Sequence, residues 1–285
     1  MINAKRRAEL NLQAAKIRKL ALTGRRNADS GHLGGSFSCV ELLTALYFEK
    51  MRVDPANPRW ADRDRFVLSK GHCTPAAYAT LALRGYFPPE KYEREFRNIN
   101  YHMSGHMEMN DVPGVDMSTG SLGQGISAAV GMALCARVDH KSYRTYCIVG
   151  DGEIEEGQVW EAAMTAGYYK LDNFVVLVDN NKLQLDGPIA KIMDPNPIDA
   201  KFAAFRFNVL HCDGHDIAAV CDALDRAAAC KGMPTAIIAD TVKGKGVSVF
   251  ENNNRFHGGD PTTEEYEQAF RELDAQIAGW EAKLK

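Results

Sequence analysis

Thr145-Tyr146-Cys147-Ile148-Val149-Gly150-Asp151-Gly152 is the stretch whose reading decides the fold. A short run suited to a buried strand, Thr145 to Val149, ends in an aspartate between two glycines. Glu155 to Tyr169 then brings apolar residues back at helical spacing. Phe174 to Asp179 is a second apolar strand, and it ends in Asn180-Asn181-Lys182-Leu183. A strand, a glycine turn, a helix and another strand make one unit of a parallel sheet.

The same grammar extends in both directions. Upstream, Asp64-Arg65-Phe66-Val67-Leu68 reads as a strand, and Ser69-Lys70-Gly71-His72 as the turn into a helix running to about Arg84. Downstream come Phe207 to His211 as a strand, Ile217 to Ala229 as a helix and Thr235 to Asp240 as a strand. Strands apolar on both faces imply a mostly parallel central sheet between two helical layers, an α/β three-layer sandwich. A helix is predicted over Ala4 to Arg26. Ser38 with Glu41 reads as a capping box ahead of the apolar run Leu42 to Phe48. Thr262 with Glu265 makes a second capping box, opening an amphipathic helix at about 262–284. No repeat, linker or low-complexity tract divides the chain, so residues 1–285 are expected to form one domain.

Composition narrows the function. The chain is 45% hydrophobic and 25% charged, with a formal net charge of -3 and scattered basic residues, which gives nucleic acid nothing to bind. Seven cysteines without a C-x-x-C pair fit a reduced, cytoplasmic protein. Met1 to Arg7 is basic, but Ala8 to Leu22 lacks the unbroken apolar run of a signal peptide, and no apolar stretch approaches the roughly 20 residues that cross a bilayer. A soluble protein without a membrane partner is expected.

In a parallel sheet, ligands bind beyond the carboxyl ends of the strands. Gly150-Asp151-Gly152 lets backbone approach a phosphate ahead of a helix N-terminus. Asn180-Asn181 ends what should be the adjacent strand. One carboxylate, one amide oxygen and one backbone carbonyl are three hard ligands for magnesium, which takes about six; diphosphate and water would complete the set. His211-Cys212-Asp213-Gly214-His215 has zinc-like residue types, but its place between strand and helix makes a structural turn the better reading.

This spacing resembles the thiamine diphosphate fingerprint, and nearly the whole chain is similar to the N-terminal third of transketolases. The matching segments include Ser30-Gly31-His32, Asp64 to His72, Ser104-Gly105-His106, Gly120 to Ser127, Gly150 to Gly157, Asp179 to Leu183 with Asp186-Gly187, and Lys243 to Gly246 with His257-Gly258. The resemblance implies the diphosphate domain of the thiamine diphosphate-binding fold. It implies Asp151, Asn181 and the Leu183 carbonyl as ligands of Mg2+ (or Ca2+ or Mn2+). Gly152 would meet the diphosphate, with Glu153 beside it among the cofactor-binding residues. Gly120, Ser121 and Leu122 would meet the aminopyrimidine and central linkage, and Gly35 and Lys243 the phosphates. His32 and His257 would serve substrate hydroxyls and proton transfer, while His72 and His106 line the thiazolium and the donor's first carbons; His72 and His257 also count among the cofactor contacts. Glu156 and Glu161 match acidic positions near the interface between cofactor sites.

The resemblance also defines what the chain lacks. In transketolases the glutamate that activates the cofactor lies in a pyrimidine domain, and this chain stops before one. The expectation is therefore a split transketolase: one component that needs a separate pyrimidine-domain chain, assembles as α2β2 through the helices after Gly120 and Gly152, and moves a two-carbon ketol unit from a ketose to an aldose phosphate. Tyr101 to Met109 and Arg255-Phe256-His257 depart from the common family pattern, which leaves room for a modified ketose such as a sulfo-sugar. The competing readings are the α subunit of a 2-oxo acid dehydrogenase, a noncatalytic cofactor-binding assembly subunit or, third, a deoxyxylulose phosphate synthase.

Overall fold

Five parallel strands form one sheet in the order β1-β2-β3-β5-β4: β1 (Arg65–Leu68), β2 (Thr145–Gly150), β3 (Phe174–Asn180), β4 (Asn208–Asp213) and β5 (Thr235–Asp240). The computed structural model describes residues 2–285. In chain order its helices are α1 (Ala4–Ala28), α2 (Gly34–Ser38), α3 (Val40–Ala45), α4 (Thr74–Arg84), α5 (Pro89–Glu95), α6 (Gln124–Val138), α7 (Gly157–Tyr168), α8 (Ile189–Ile192), α9 (Ile198–Ala204), α10 (Ile217–Ala229) and α11 (Thr263–Leu284).

Alternation along the strands splits the core in two. Phe66, Leu68, Tyr146, Ile148, Val175 and Leu177 point to the layer built from α1, α3, α4, α10 and α11. Val67, Cys147, Val149, Val176 and Val178 point to the layer of α6, α7 and α9. Every residue of β2 is buried, as a strand covered on both faces requires. The Thr262–Glu265 capping box is present, and Tyr266, Ala269 and Leu273 bury the inner stripe of α11. No helix among the described residues is long and apolar enough to cross a membrane.

The Ser38–Glu41 capping box does not form. The helical segment starts earlier, at Gly34, and both side chains have tertiary partners instead. Ser38 donates to Asp179 Oδ2 at 2.6 Å. Glu41 is buried and takes a two-pronged contact from Arg18, 2.6 Å to Oε1 and 2.7 Å to Oε2. Its Oε2 also lies 3.1 Å from His215 Nδ1. His215 Nε2 accepts the Val242 N–H at 2.7 Å, so the ring carries its proton on Nδ1 and donates it to Glu41. His215 of the zinc-like cluster is thus a brace between α3 and the segment after β5, and among the described residues no three His, Cys, Asp or Glu side chains are placed to hold a metal ion together.

Burial alone would raise the Glu41 carboxyl, but Arg18 and His215 outweigh it and hold it at about 2, against 4.5 for an ordinary glutamate. A carboxyl depressed by folding stabilises above its unfolded value, and that stability is lost as the pH falls through the folded one. Glu41 should therefore contribute on the order of 3 kcal/mol near neutrality, fading between pH 4.5 and 2. Urea titrations at pH 6 and pH 3 check this: the wild type should lose more stability across that interval than Glu41→Gln. Equal losses would contradict it.

Candidate active site

Four strand ends converge on one cleft. Gly150 lies opposite Asp179 and Asn180 opposite Asp240, so Asp151, Asn181 and Thr241 leave the sheet at one level. Ser69 and Lys70 emerge from β1 beside them, with Ser69 N–H donating to Ile148 O at 2.9 Å. The cleft holds about 280 Å³, and its lining includes His32, Gly35, Lys70, His72, Gly120 and Leu122. Asp151, Gly152, Asn181, Leu183, Lys243 and His257 line it too, with Gln184 and Leu185 beside them. At Gly71 the chain passes so close to Thr119 that a Cβ would sit 2.6 Å from its carbonyl carbon, so only glycine fits there.

The floor is a buried ion pair. Asp179 Oδ2 accepts from Lys70 Nζ at 2.5 Å, from Ser38 Oγ at 2.6 Å and from Asn181 Nδ2 at 3.0 Å. Its Oδ1 accepts from Thr241 Oγ1 at 2.5 Å, and Lys70 also donates to Gly35 O at 2.8 Å. Burial would drive the Lys70 ammonium towards neutrality; the charge of Asp179 overrides it and keeps the pKa well above the ordinary lysine value.

Above the floor lies a set of oxygens. Asp151 Oδ1 accepts the Gly152 N–H at 2.9 Å and Oδ2 accepts the Lys182 N–H. Asn181 Oδ1 accepts the Leu183 N–H at 3.1 Å. Lys243 Nζ donates to Leu183 O at 3.0 Å, to Gln184 O at 3.1 Å and to His257 Nδ1 at 2.8 Å. Asp151 is 2% exposed, yet no lysine, arginine or histidine lies within ion-pair distance of it among the described residues. Burial, reinforced by the negative charge of Asp179, raises its carboxyl to about 7. A buried carboxylate without an ion-pair partner, next to an amide oxygen and the Leu183 carbonyl that Lys243 now caps, is a donor set suited to a hard divalent ion. The residues therefore fit a magnesium–diphosphate group. Lys243, lowered to about 8 chiefly by burial, is the nearby ammonium for a phosphate.

The histidines singled out from the sequence lie together. Ring centroids are 5.2 Å apart for His32 and His72, 5.5 Å for His32 and His257, and 6.3 Å for His32 and His106; His72 stacks on His257 at 5.2 Å. Burial, then the neighbouring His72, lowers His32 to about 4. Burial, then Lys243, lowers His257 to about 3. His106, at the exposed rim, is shifted down by the partial burial of its ring and by Arg97. His32 and His257 are neutral at pH 7. The unfolded chain binds their protons from about 6.5 downward while the folded chain does not, so stability should fall as pH drops from 6.5 towards 4. Urea midpoints at pH 7 and pH 5 test this, and His257→Asn should flatten the difference.

The other expected residues divide. Gly120 lines the cleft, and a Cβ there would stand 3.0 Å from the His106 ring. Ser121 is exposed and lies outside the lining. Glu153 lines the cleft, but its carboxylate is engaged by protein: Oε1 accepts from Ser69 Oγ at 2.5 Å and Gly123 N–H at 3.0 Å, and Oε2 from Gly150 N–H at 3.0 Å. It ties three loops together. The Gly152 N–H meets Asp151. Glu156 and Glu161 are exposed at the start and on the outer face of α7. Sequence reasoning assigned no role to Lys70, Asp179 or Thr241; the only signal was that the first two lie inside motifs that carry the family resemblance.

Residues 10–283 match the family described as transketolase, thiamine diphosphate binding domain. The 6-deoxy-6-sulfo-D-fructose transketolase subunit SqwG of Clostridium sp. (strain MSTE9) is 45% identical, over 95% of this chain and 98% of that protein. An apulose-4-phosphate transketolase subunit from Phocaeicola vulgatus is 42% identical, over 94% and 95%. Rat transketolase is 38% identical over 93% of this chain, which spans only 42% of that longer protein. Among solved structures, transketolase from Pichia stipitis superposes with a TM-score of 0.89 at 29% identity, covering 97% of this chain and 44% of the other. The strand-end oxygens, the histidine cleft and these likenesses over almost the full chain have one common source: the chain belongs to the family of transketolase thiamine diphosphate-binding domains.

Proposed function

We propose that this chain is the cofactor-binding half of a two-component transketolase, active only with a separate pyrimidine-domain chain. The observation that carries the proposal is one of length: the chain matches proteins named as transketolase subunits almost end to end, but less than half of the single-chain transketolases. Bound thiamine diphosphate would supply the nucleophilic carbon that takes up the two-carbon ketol unit. Asp151, Asn181 and the Leu183 carbonyl hold its metal, and Lys243 faces its phosphates. His72 and His106 border the reacting carbons. His32 and His257, uncharged at neutral pH, accept or return hydroxyl protons as the sugar is cleaved and rebuilt.

The partner covers α6 and α7. The sequence of α6, Gln124 to Val138, is apolar on nearly every side, a composition for burial on all faces, and Val138 is 76% exposed; on α7, Met164 is 57% and Tyr168 70% exposed. Two chains of each kind would bring Glu156 and Glu161 to the interface between cofactor sites. The sulfofructose and apulose-4-phosphate named for the relatives make an unusual ketose the substrate class to test first. The free cysteines, several of them at least partly exposed, fit a reducing cytoplasm.

Co-expression with a pyrimidine-domain transketolase chain from the same source, followed by ketol-transfer assays on a panel of sulfonated and phosphorylated ketoses, tests the proposal. Activity should require both chains, the cofactor and a divalent metal. Full activity of this chain alone, or turnover of a 2-oxo acid in place of a ketose, would refute it.

A further inference from the structure

We infer that Arg97 is a positioning residue of the histidine cleft: its guanidinium clamps the Ser30 to His32 loop to the turn at Gly105 and fixes His32 in the tautomer that carries its proton on Nε2. Arg97 directly follows the end of α5 and its cap, in the left-handed region at φ 52, with its own N–H donating to Met103 O at 2.8 Å. That bond closes the base of the loop leading to His106. From there Nη1 donates to Ser30 Oγ at 2.8 Å and Nη2 to Gly105 O at 3.3 Å, while Nη2 stands 3.5 Å from His32 Nδ1. A guanidinium has only N–H groups to offer and does not give up its proton. A proton on His32 Nδ1 would face a donor it could not bond, so the ring keeps its lone pair there and its N–H on Nε2. The Nε2 edge of this cleft-lining ring faces Gly258, beside His257, where a Cβ would stand 3.5 Å from Nε2.

Three further observations mark Arg97 as more than a surface cation. A Cβ at Gly105 would sit 2.3 Å from the guanidinium, so this Ser104-Gly105-His106 turn has room for the clamp only with glycine in the middle. The Nε–H is buried and finds no acceptor. No carboxylate lies within ion-pair distance of Arg97 among the described residues, although nearby Arg25 and Arg94 both have acidic partners. A half-buried cation without a counterion is costly to keep. Its charge therefore acts undiminished on the groups around it. Those facing His32 are His72 and Cys73 from the turn into α4, His106, His257 and Arg97 itself, and none of them is a carboxylate. The uncompensated charge disfavours imidazolium at both His32 and His106.

A neutral His32 with its proton on Nε2 presents a donor to whatever enters the cleft, and a substrate oxygen is the group it would meet. That use of the proton rests on the ketol-transfer reading; the tautomer does not, and the experiment measures the tautomer on the full chain without partner, cofactor or substrate. Long-range 15N–1H correlation spectra of histidine-labelled protein, with His32 assigned through His32→Gln, should show a single neutral form protonated at Nε2 that titrates well below 6.5, near 4. In Arg97→Gln the His32 signal should become a mixture of tautomers, with its midpoint moved up towards the free value while burial and His72 still hold it below that value. Arg97→Lys, which keeps the charge without the fork, should mix the tautomers while the midpoint stays low. An Nδ1-protonated or mixed His32 in the wild type would overturn the inference, as would an Arg97→Gln spectrum identical to it. Should Arg97→Gln fail to fold by circular dichroism, the wild-type spectrum still decides the tautomer. Ser30→Ala then tests the clamp, and is expected to broaden or mix the His32 signal; an unchanged signal would count against it.

Discussion

Replacing Asp151 with alanine will raise the dissociation constant for thiamine diphosphate in the presence of magnesium by roughly 100-fold or more. Removing one partner of a desolvated charge pair costs about 2–5 kcal/mol, and each 1.4 kcal/mol is about tenfold in affinity. Asp151 is the one carboxylate in the proposed ligand set, and no side-chain cation among the described residues neutralises it. The measurement is calorimetry with and without magnesium, on the chain alone and with the proposed pyrimidine-domain partner. An unchanged constant would remove Asp151 from the metal site. The same variant separates function from stability. Folding raises this carboxyl from 3.8 to about 7, so the unfolded chain sheds the proton more readily and the charged residue destabilises the apo protein as pH rises through that interval. At pH 8 the Asp151→Ala apo protein should therefore be no less stable than wild type, even though it has lost its ligand. A residue kept at a cost to the empty fold is what a binding site predicts.

How much of this was legible beforehand follows from the range of the forces involved. Ile217–Ala229 and Thr235–Asp240 appear with the boundaries expected, because a buried strand and an amphipathic helix are written in local periodicity. The Thr262–Glu265 box was legible for the same reason, its two partners being three residues apart. Ser38 and Glu41 share that spacing and mislead: Ser38 reaches 141 residues along the chain to Asp179, and Glu41 reaches back 23 to Arg18 and forward 174 to His215. No local pattern encodes those partners. Asp151 and Asn181 stood out because they sit in loops after strands, where a parallel sheet gathers its ligands, whereas His32 and His106 follow helices and stood out only through the family resemblance. The groups that hold them, Lys70, Asp179, Glu153 and Arg97, act through buried side-chain contacts between distant segments. Their chemistry looks like ordinary turn or helix-end residues until the segments meet.

Asp179 is where stability and site are most tightly joined, and Asp179→Ala should lose about 3–5 kcal/mol of folding free energy. The carboxylate is fully buried and accepts from Lys70, Ser38, Asn181 and Thr241 at once. Without it, Lys70 remains in the interior as an unpaired ammonium with only Gly35 O for company. The loss is thus chiefly the cost of a stranded charge rather than the worth of the pair. A second substitution can test that distinction. Removing both charges in Lys70→Met with Asp179→Leu should recover much of the stability, since replacing a whole buried pair by apolar groups is often near neutral. Cofactor binding should not recover with it. Asn181 Nδ2 donates to Asp179, and that bond fixes which way the amide turns its oxygen, on our proposal towards the metal. Loss of such an outer-shell partner typically costs about 10–100-fold in metal affinity. Denaturant titration and calorimetry on the single and double variants therefore have a joint expectation: stability falls and then returns, while affinity falls and stays low. If affinity returned along with stability, Asp179 would be no more than a counterion for Lys70, and the orientation of Asn181 would have to come from elsewhere.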